Sequence, residues 1–274
     1  MSIRPAVSLK VGIAGLGPVG MPVARWLDDG VDGLVLSGVS AGNKERAAER
    51  VADFKAPPPV LDIPELVAAS DVLVEGLPPA RFMDLALPTV EAGKTLIVLS
   101  LTQLLENIEI TDRAAETGAT IICATGALLG LDAVRAAAKG EVYSVVMKTR
   151  KPPAGLKKAP FVVEQGIDMD ALTEPLCLYK GTVRDAAAKF PANVNVSVAL
   201  ALAGVGPDRT EYEIWADPAV DRNLHSIVLD GDSVHFEMSI ANVPTEENPA
   251  TGKLTALSAM ATLERLVSPF TVGT

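Results

Sequence analysis

Along the first half of the chain, short apolar runs alternate with stretches in which apolar residues return every third or fourth position. That is the pattern of buried strands joined by helices that each bury one face. The first run, Val11-Gly12-Ile13-Ala14, leads through Gly15-Leu16-Gly17-Pro18-Val19-Gly20 into Val19, Val23, Trp26 and Leu27, whose i, i+4, i+7, i+8 spacing predicts a helix packed on a sheet. Pro22 falls inside that helix and breaks a hydrogen bond unless the helix begins near Val19 or Gly20. A second strand is predicted over 34–39, then a helix burying Ala47, Val51 and Phe54. Pro57-Pro58-Pro59 is a stiff connector before a brief third strand at Val60-Leu61. Asp62, Pro64 and Glu65 have the order of a capping box that opens a helix. Strands over 72–74, 96–99 and 120–123, with a helix over 80–92 stopped by Gly93, complete the alternation. Over residues 10–125 the pattern predicts a doubly wound parallel sheet in an α/β fold.

After Cys123 the texture changes. Ala124 to Asp132 leads into an alanine-rich helix, and a strand over 142–149 runs out through Lys148-Thr149-Arg150-Lys151-Pro152-Pro153. Phe190-Pro191-Ala192-Asn193-Val194-Asn195-Val196 opens an apolar helix to Gly204, and a strand over 211–216 leads to Asp217-Pro218. Asp230-Gly231 between two strand patterns signals a hairpin. The tail Leu254–Val267 is helical, with Leu257, Met260, Leu263 and Val267 able to share a face, and such a terminal helix is expected to return to the first domain.

Composition narrows the function classes. A chain of 274 residues with 49% hydrophobic content can bury one large core or two modest ones. A net charge of −10 argues against a nucleic-acid partner, and the densest basic cluster, Lys148 to Lys158, is broken by prolines. Cys123 and Cys177 lack C-x-x-C spacing and read as thiols in a reducing cytosol rather than a disulfide or metal framework. No apolar run reaches the roughly 18 residues of a membrane span, and Met1 to Lys10 lacks the apolar centre of a signal peptide. A cytoplasmic protein without a membrane or metal site is expected.

The glycine hexapeptide, set between strand and helix, has a mechanical reading. Gly15 makes the tight turn, Gly17 lets the backbone approach a pyrophosphate, and Gly20 lets helix and strand pack closely, as in a Rossmann domain. Pro18 and Val19 complete the loop, and the helix N-terminus offers unpaired N–H groups to phosphates. The second strand ends in Ser40-Ala41-Gly42-Asn43-Lys44, with no acid before Glu45 to hold an adenosine ribose. Ser40 and Asn43 with Lys44 and Arg46 admit a 2′-phosphate, so NAD or NADP is expected; the alternative is that Asn43 only caps the following helix.

Several further segments are unusual, and through them the chain resembles the L-aspartate dehydrogenase family over nearly its whole length. They are GLGPVG at 15–20, TGALLGLDAVRAA at 125–137, KTRKPP at 148–153, FPANVNV at 190–196, ADPAVDRNLH at 216–225 and ENPATG at 247–252. The resemblance implies a Rossmann domain over 1–125, with 250–274 packing back on it, and a mixed α/β catalytic and dimerisation domain over 126–249. It implies a homodimer that oxidises L-aspartate with NAD or NADP to iminoaspartate, released as oxaloacetate and ammonia or passed to pyridine nucleotide biosynthesis. It also carries cofactor contacts over to Ala127 and Asn195, with Asn193 as the alternative to Asn195 or as a helix cap. The chain departs from the family pattern at Leu77-Pro78-Pro79 and Leu101-Thr102-Gln103, two turns expected to border the nicotinamide. The nearest alternatives are an oxidoreductase of the same architecture acting on another amino acid, imino acid or carbonyl compound, and a protein that senses dinucleotide without turnover.

Removing hydride from an amino-acid Cα requires an amine free of its extra proton and then a water directed at the iminium carbon, work for a group titrating near neutrality. Of the two histidines, His225 lies in the segment matching the family's catalytic histidine, while spacing alone equally admits a structural hydrogen-bonding role; His235 alternates into a strand where a surface or cross-strand role is expected. With an unperturbed imidazole, the rate is expected to fall on the acid side near pH 6.5. Asp217 orients either that imidazole or its own Asp-Pro turn. Two substrate carboxylates call for converging donors, for which Lys148, Lys151, Asn248 and Thr251 are candidates against the alternative of a solvated basic loop.

Overall fold

The computed structural model describes residues 8–248 and 251–273, which form two compact units: one runs to Ala124 and takes in Thr255–Thr271, and the other is centred on Thr125–Leu254. Most of the segment read for a leader, and Pro249 and Ala250 of the ENPATG motif, lie outside the described residues. In the first unit the order is β1 (Leu9–Ala14), α1 (Gly20–Asp29), β2 (Leu34–Ser40), α2 (Lys44–Val51), α3 (Ile63–Ala69), β3 (Val72–Glu75), α4 (Phe82–Glu91), β4 (Thr95–Val98), α5 (Leu101–Glu106), α6 (Ile110–Thr117) and β5 (Thr120–Cys123). The strands form a wholly parallel sheet in the order β2-β1-β3-β4-β5. Helices cover both faces of such a sheet, which is why the consecutive residues Val72, Leu73 and Val74, and Leu96, Ile97 and Val98, are buried without alternation.

Local chemistry explains the boundaries. Because α1 starts at Gly20, Pro22 occupies its first turn, where the missing N–H had no helical partner. Asn43 caps α2 by accepting from the Arg46 N–H at 2.8 Å, and Asp62 with Glu65 forms the capping box of α3. The third strand expected at Val60-Leu61 is absent as a strand. Two hydrogen bonds, from Val39 N to Pro59 O and from Leu61 N to Val39 O, make one isolated bridge, because the preceding prolines have no N–H to extend it. The sheet therefore has five strands rather than six. Leu101-Thr102-Gln103 is not a turn either; it is the buried first turn of α5.

The second unit contains α7 (Leu131–Ala137), β6 (Val142–Lys151), α8 (Pro160–Glu164), β7 (Leu176–Thr182), α9 (Val183–Lys189), α10 (Asn195–Ala203), β8 (Thr210–Ala216), β9 (Leu224–Gly231) and β10 (His235–Ala241). Its sheet is mixed, in the order β10-β9-β6-β8-β7, with β6 and β8 parallel and the other neighbours antiparallel. Strand β6 has partners on both sides and buries Val145, Met147, Thr149 and Lys151 on one face. Asp230 and Gly231 lie within β9, Asp230 opposite His235, so the hairpin turn comes later, closed by Gly231 N to Val234 O. The Asp232 carboxylate takes the Glu141 N–H, and its own N–H bonds the Glu141 carbonyl, which holds the turn at that point.

The terminal helix α11 (Leu254–Val267) belongs to the first unit and packs Ala256, Ala259 and Leu263 into the core formed by β1, β2 and α1. Leu257, expected on that face, is exposed: the buried stripe is set by 256, 259 and 263, and position 257 is turned about 100° from its start.

Candidate functional site

The first unit supplies a cradle at the C-terminal edge of its sheet. Gly15 has φ +102°, and its N–H bonds the Ser40 carbonyl at 2.8 Å. A methyl group at Gly15 would strike the Gly76 carbonyl, and one at Gly20 would strike the Gly15 carbonyl, so both positions require glycine for close backbone packing. Gly17 differs: a Cβ there meets no protein atom within 4 Å, which leaves open space beside the start of α1, where a pyrophosphate fits. Arg50 of α2 donates from Nη1 to the Leu16 carbonyl at 2.5 Å and braces the loop from outside. At the end of β2, Ser40 is buried, Asn43 is used as the cap, and Lys44 pairs with Asp62 at 2.7 Å. Arg46 is exposed and has no ion pair among the described residues.

Glu75, an acid at the end of an apolar strand, is the buried polar centre of the same edge. Its carboxylate accepts from Leu77 N (3.1 Å), Ser100 N (2.9 Å), Leu99 N (3.3 Å) and Ser100 Oγ (3.0 Å), and so ties the turn after β3 to the turn after β4. Burial pushes its pKa above the ordinary carboxylate range, opposed by the hydrogen bonds from Ser100, Leu99 and Leu77. Leu77, Leu101 and Thr102, at the two departures from the family pattern, are buried around it. Removing the carboxylate orphans several buried donors, each worth about 1–3 kcal/mol. Glu75→Ala is expected to lower stability by about 3 kcal/mol, read from the urea midpoint at unchanged slope. A midpoint equal to that of the parent would show that water satisfies those donors without cost.

In the second unit, His225 and Thr149 are directly opposite on β9 and β6, and both are buried. His225 Nδ1 and Thr149 Oγ1 are 2.9 Å apart. Tyr212, on β8 at the other flank of β6 and opposite Met147, is wholly buried, and its hydroxyl has no hydrogen-bond partner among the described residues. Burial, reinforced by the nearby Lys151 charge, pushes the His225 pKa down to about 3. This corrects the expectation of an imidazole titrating near 6.5: buried and beside the Lys151 charge, the ring is neutral throughout the physiological range.

Lys151 lies two residues beyond Thr149 on the same buried face. Its Nζ donates to the Asn193 carbonyl at 3.1 Å and to Asn193 Oδ1 at 3.2 Å, and no carboxylate pairs with it among the described residues. Burial lowers its pKa to about 8. Lys148 is not brought to this place. Three residues apart on a strand means opposite faces, and Lys148 lies over the Trp215 ring at 4.3 Å with Glu213 at 3.5 Å. Asp217 serves its turn: Oδ1 accepts from Ala219 N at 2.9 Å and Oδ2 pairs with Arg150 at 2.5 Å, whereas the hydrogen-bond partner of the imidazole is Thr149. His235 is exposed beside Asp230, as a surface role requires.

The remaining candidates lie on loops and a helix end. Asn195 is the first residue of α10, and Asn193, engaged with Lys151, does not cap that helix. The Ala127 carbonyl accepts from Asn242 Nδ2 at 2.9 Å, which fixes the loop before α7 by a buried side chain that the sequence did not mark. Asn248 and Thr251 close a tight loop through Thr251 N to Asn248 O and Thr245 N to Thr251 O. Among the described residues no metal-ligand cluster occurs, and no helix is long and apolar enough to cross a membrane.

Comparison with known proteins agrees in both halves. Residues 132–266 match the family model described as aspartate dehydrogenase, C-terminal, and residues 15–124 match that of the homoserine dehydrogenase NAD binding domain. The chain is 49% identical to an L-aspartate dehydrogenase of Bradyrhizobium diazoefficiens, covering 97% of this chain and 94% of the relative. It is 47% identical to L-aspartate dehydrogenase 3 of Bordetella bronchiseptica, covering 97% and 98%. The crystal structure of aspartate dehydrogenase from Thermotoga maritima superposes with a TM-score of 0.71 at 22% identity, covering 97% of this chain and 99% of that one, which bears on the fold.

Proposed function

The chain belongs to the L-aspartate dehydrogenase family, and from that premise we propose that it oxidises L-aspartate at Cα with NAD or NADP, giving iminoaspartate and, after hydrolysis, oxaloacetate and ammonia. The observation that supports this substrate best is Lys151. A buried ammonium that, among the described residues, meets two oxygens of Asn193 and no carboxylate is an unneutralised charge, and a substrate carboxylate is the partner it lacks.

The residues divide the work. The loop from Gly15 to Gly20, with Pro18 and Val19, holds the pyrophosphate against the N-terminus of α1, with Ser40, Asn43, Ala127 and Asn195 as further cofactor contacts. The bound nicotinamide supplies the hydride acceptor. Lys151 holds one carboxylate of the substrate and fixes the orientation of Cα, with Asn248 and Thr251 as helpers, while Lys148 remains a support of the sheet. His225, a neutral imidazole on a central strand pair, acts on the reacting carbon's nitrogen and on the attacking water by hydrogen bonding. The same reading carries a homodimer, which light scattering tests, and a product open to pyridine nucleotide biosynthesis.

Mixing the protein with NAD or NADP and a panel of amino acids, and following reduced nicotinamide by absorbance, tests the assignment. Turnover with aspartate alone supports it. Turnover with a different amino acid or with a carbonyl compound makes the chain a relative of changed substrate, and dinucleotide binding without any turnover makes it a sensor.

Cofactor choice has its own expected outcome. With no acid at the end of β2, and with Arg46 exposed and without an ion pair among the described residues, kcat/KM with NADP is expected within about tenfold of that with NAD, a gap of about 1.4 kcal/mol. Arg46→Ala should lower the NADP value selectively. A thousandfold preference for NAD would overturn this expectation.

A further inference from the structure

We infer that Asn242 is a positioning residue that ties the Ala127 loop to the strand pair carrying His225, and so sets the nicotinamide end of the dinucleotide relative to the imidazole. The inference rests on the reading of Ala127 as a cofactor contact and of His225 as the catalytic group, and adds the side chain that holds one to the other.

The loop leaves the carboxyl end of β5, the edge of a parallel sheet at which ligands collect, and runs from Ala124 to the start of α7 at Leu131. It belongs to no sheet. A turn closed by Leu128 N to Thr125 O at 3.1 Å gives it shape, and side chains of the β10 segment hold it in place at two points. Met238 lies so close to Gly130 that a Cβ at that glycine would strike its Cε. Four residues further on, Asn242 donates from Nδ2 to the Ala127 carbonyl at 2.9 Å. A carbonyl oxygen only accepts, so the amide must turn its NH2 to Ala127.

Asn242 is itself fixed. It follows β10 in register, with its own N–H bonded to the Asn223 carbonyl at 3.0 Å, and its side chain is buried. Alternation puts Met238, Ile240 and Asn242 on one face, and in the pairing with β9 Ile240 stands opposite His225. The amide and the imidazole therefore share a face of the sheet, the same face on which β6 buries Thr149 and Lys151. One hydrogen bond thus joins the loop assigned to the cofactor with the surface assigned to the substrate.

The consequence is for the hydride step more than for substrate affinity. Transfer depends steeply on alignment, and a misplacement of about 1 Å costs on the order of 10²-fold, whereas the aspartate carboxylate is assigned to Lys151.

Asn242→Asp and Asn242→Ala test the inference. Near about pH 8 the Asp side chain is a carboxylate with only acceptors to turn to the Ala127 carbonyl; protonated, it regains an O–H donor. At that pH both variants are expected to raise Kd for reduced dinucleotide by about tenfold and to slow the first-turnover rate of hydride transfer by about 10- to 100-fold, with KM for aspartate within about threefold of the parent. From about pH 8 down to 5, Kd of Asn242→Asp relative to the parent should return toward one, because a carboxyl buried against a carbonyl titrates above its ordinary value of about 3.9. Asn242→Ala should show no such return. A role in stability alone would reduce the amplitude of the first turnover in proportion to the unfolded fraction, read by circular dichroism, and leave its rate unchanged. That result, parental Kd and rate in both variants, or an Asn242→Asp ratio unmoved by pH overturns the inference. A parent that binds dinucleotide but does not turn over aspartate overturns instead the proposed activity, and the dinucleotide affinities of the two variants then decide the inference by themselves.

Discussion

Replacing His225 by alanine is expected to lower turnover by about 10²- to 10⁴-fold, the usual worth of a positioned group acting on a reacting atom. The fold and dinucleotide binding should survive, because the glycine cradle is built within the other unit. Circular dichroism and binding of reduced dinucleotide check those two conditions, and single-turnover kinetics check the loss. His235→Ala is the control: its partner Asp230 is exposed on the same hairpin, and an exposed pair is worth little. The pH profile separates a neutral imidazole from a titrating one. With its pKa held at about 3 by burial and by Lys151, His225 gives no acid limb between about pH 5 and 8, where an ordinary histidine would. Wild-type kcat in His225→Ala would remove the residue from the mechanism, and the search would turn to Lys151.

Lys151→Met is expected to raise KM for aspartate about a hundredfold or more while leaving the protein as stable as before or more so. The first effect is the loss of a charge-assisted bond in a dry site, about 3 kcal/mol. The second follows from proton linkage. Burial lowers the folded-state pKa of Lys151 from 10.5 to about 8, so between those values the unfolded chain holds more protons, and stability of the parent rises with pH across that window. Below about pH 8 the buried charge is a standing cost, which methionine removes, less the two hydrogen bonds to Asn193. A catalytic variant that gains melting temperature distinguishes this role from a structural one. Binding of succinate, a dicarboxylate with no amine to titrate, should weaken above about pH 8, by up to about tenfold per unit as the ammonium is lost. Affinity independent of pH from about 7 to 10, or a Lys151→Met protein that is both active and less stable, would assign the substrate carboxylate to another donor.

The parts of this molecule that follow from local rules were legible in the sequence. The Gly15–Gly20 turn, the caps at Asn43 and Asp62 and the apolar runs of β1, β2 and β3 depend on near neighbours, and they occur where spacing predicts. The losses have a common cause in long-range pairing. Val60-Leu61 has the composition of a strand but finds one bridge, and Asp230-Gly231 has the composition of a turn but pairs within β9 because Asp232 is held by Glu141. The site shows the same limit. The cradle was readable because glycine declares its backbone requirement, whereas the Thr149 hydroxyl meets His225 only when β9 pairs with β6. Glu75 left a signal, an acid ending an apolar strand before a glycine, and its four donors come from two turns 2 and 24–25 residues away. The depressed pKa of His225 had no signal at all, since burial is a property of the folded chain.

The alternation along β6 also bears on how this protein tolerates insertion and deletion. One face of the strand presents Thr149 and Lys151 to the interior, and the other presents Lys148 and Arg150 to the partners Glu213 and Asp217. Deleting a single residue upstream in the strand, between Val145 and Lys148, while the pairing with β8 and β9 is kept, exchanges the two sets: chemistry moves to the outer face and two structural cations move inward. The change is a swap of function rather than a loss of one side chain, and no point substitution in β6 has so broad an effect. Viable length variation among descendants of this chain is therefore confined to the loops at either end of the strand, and a lineage can alter the identity of Lys151 far more easily than its parity.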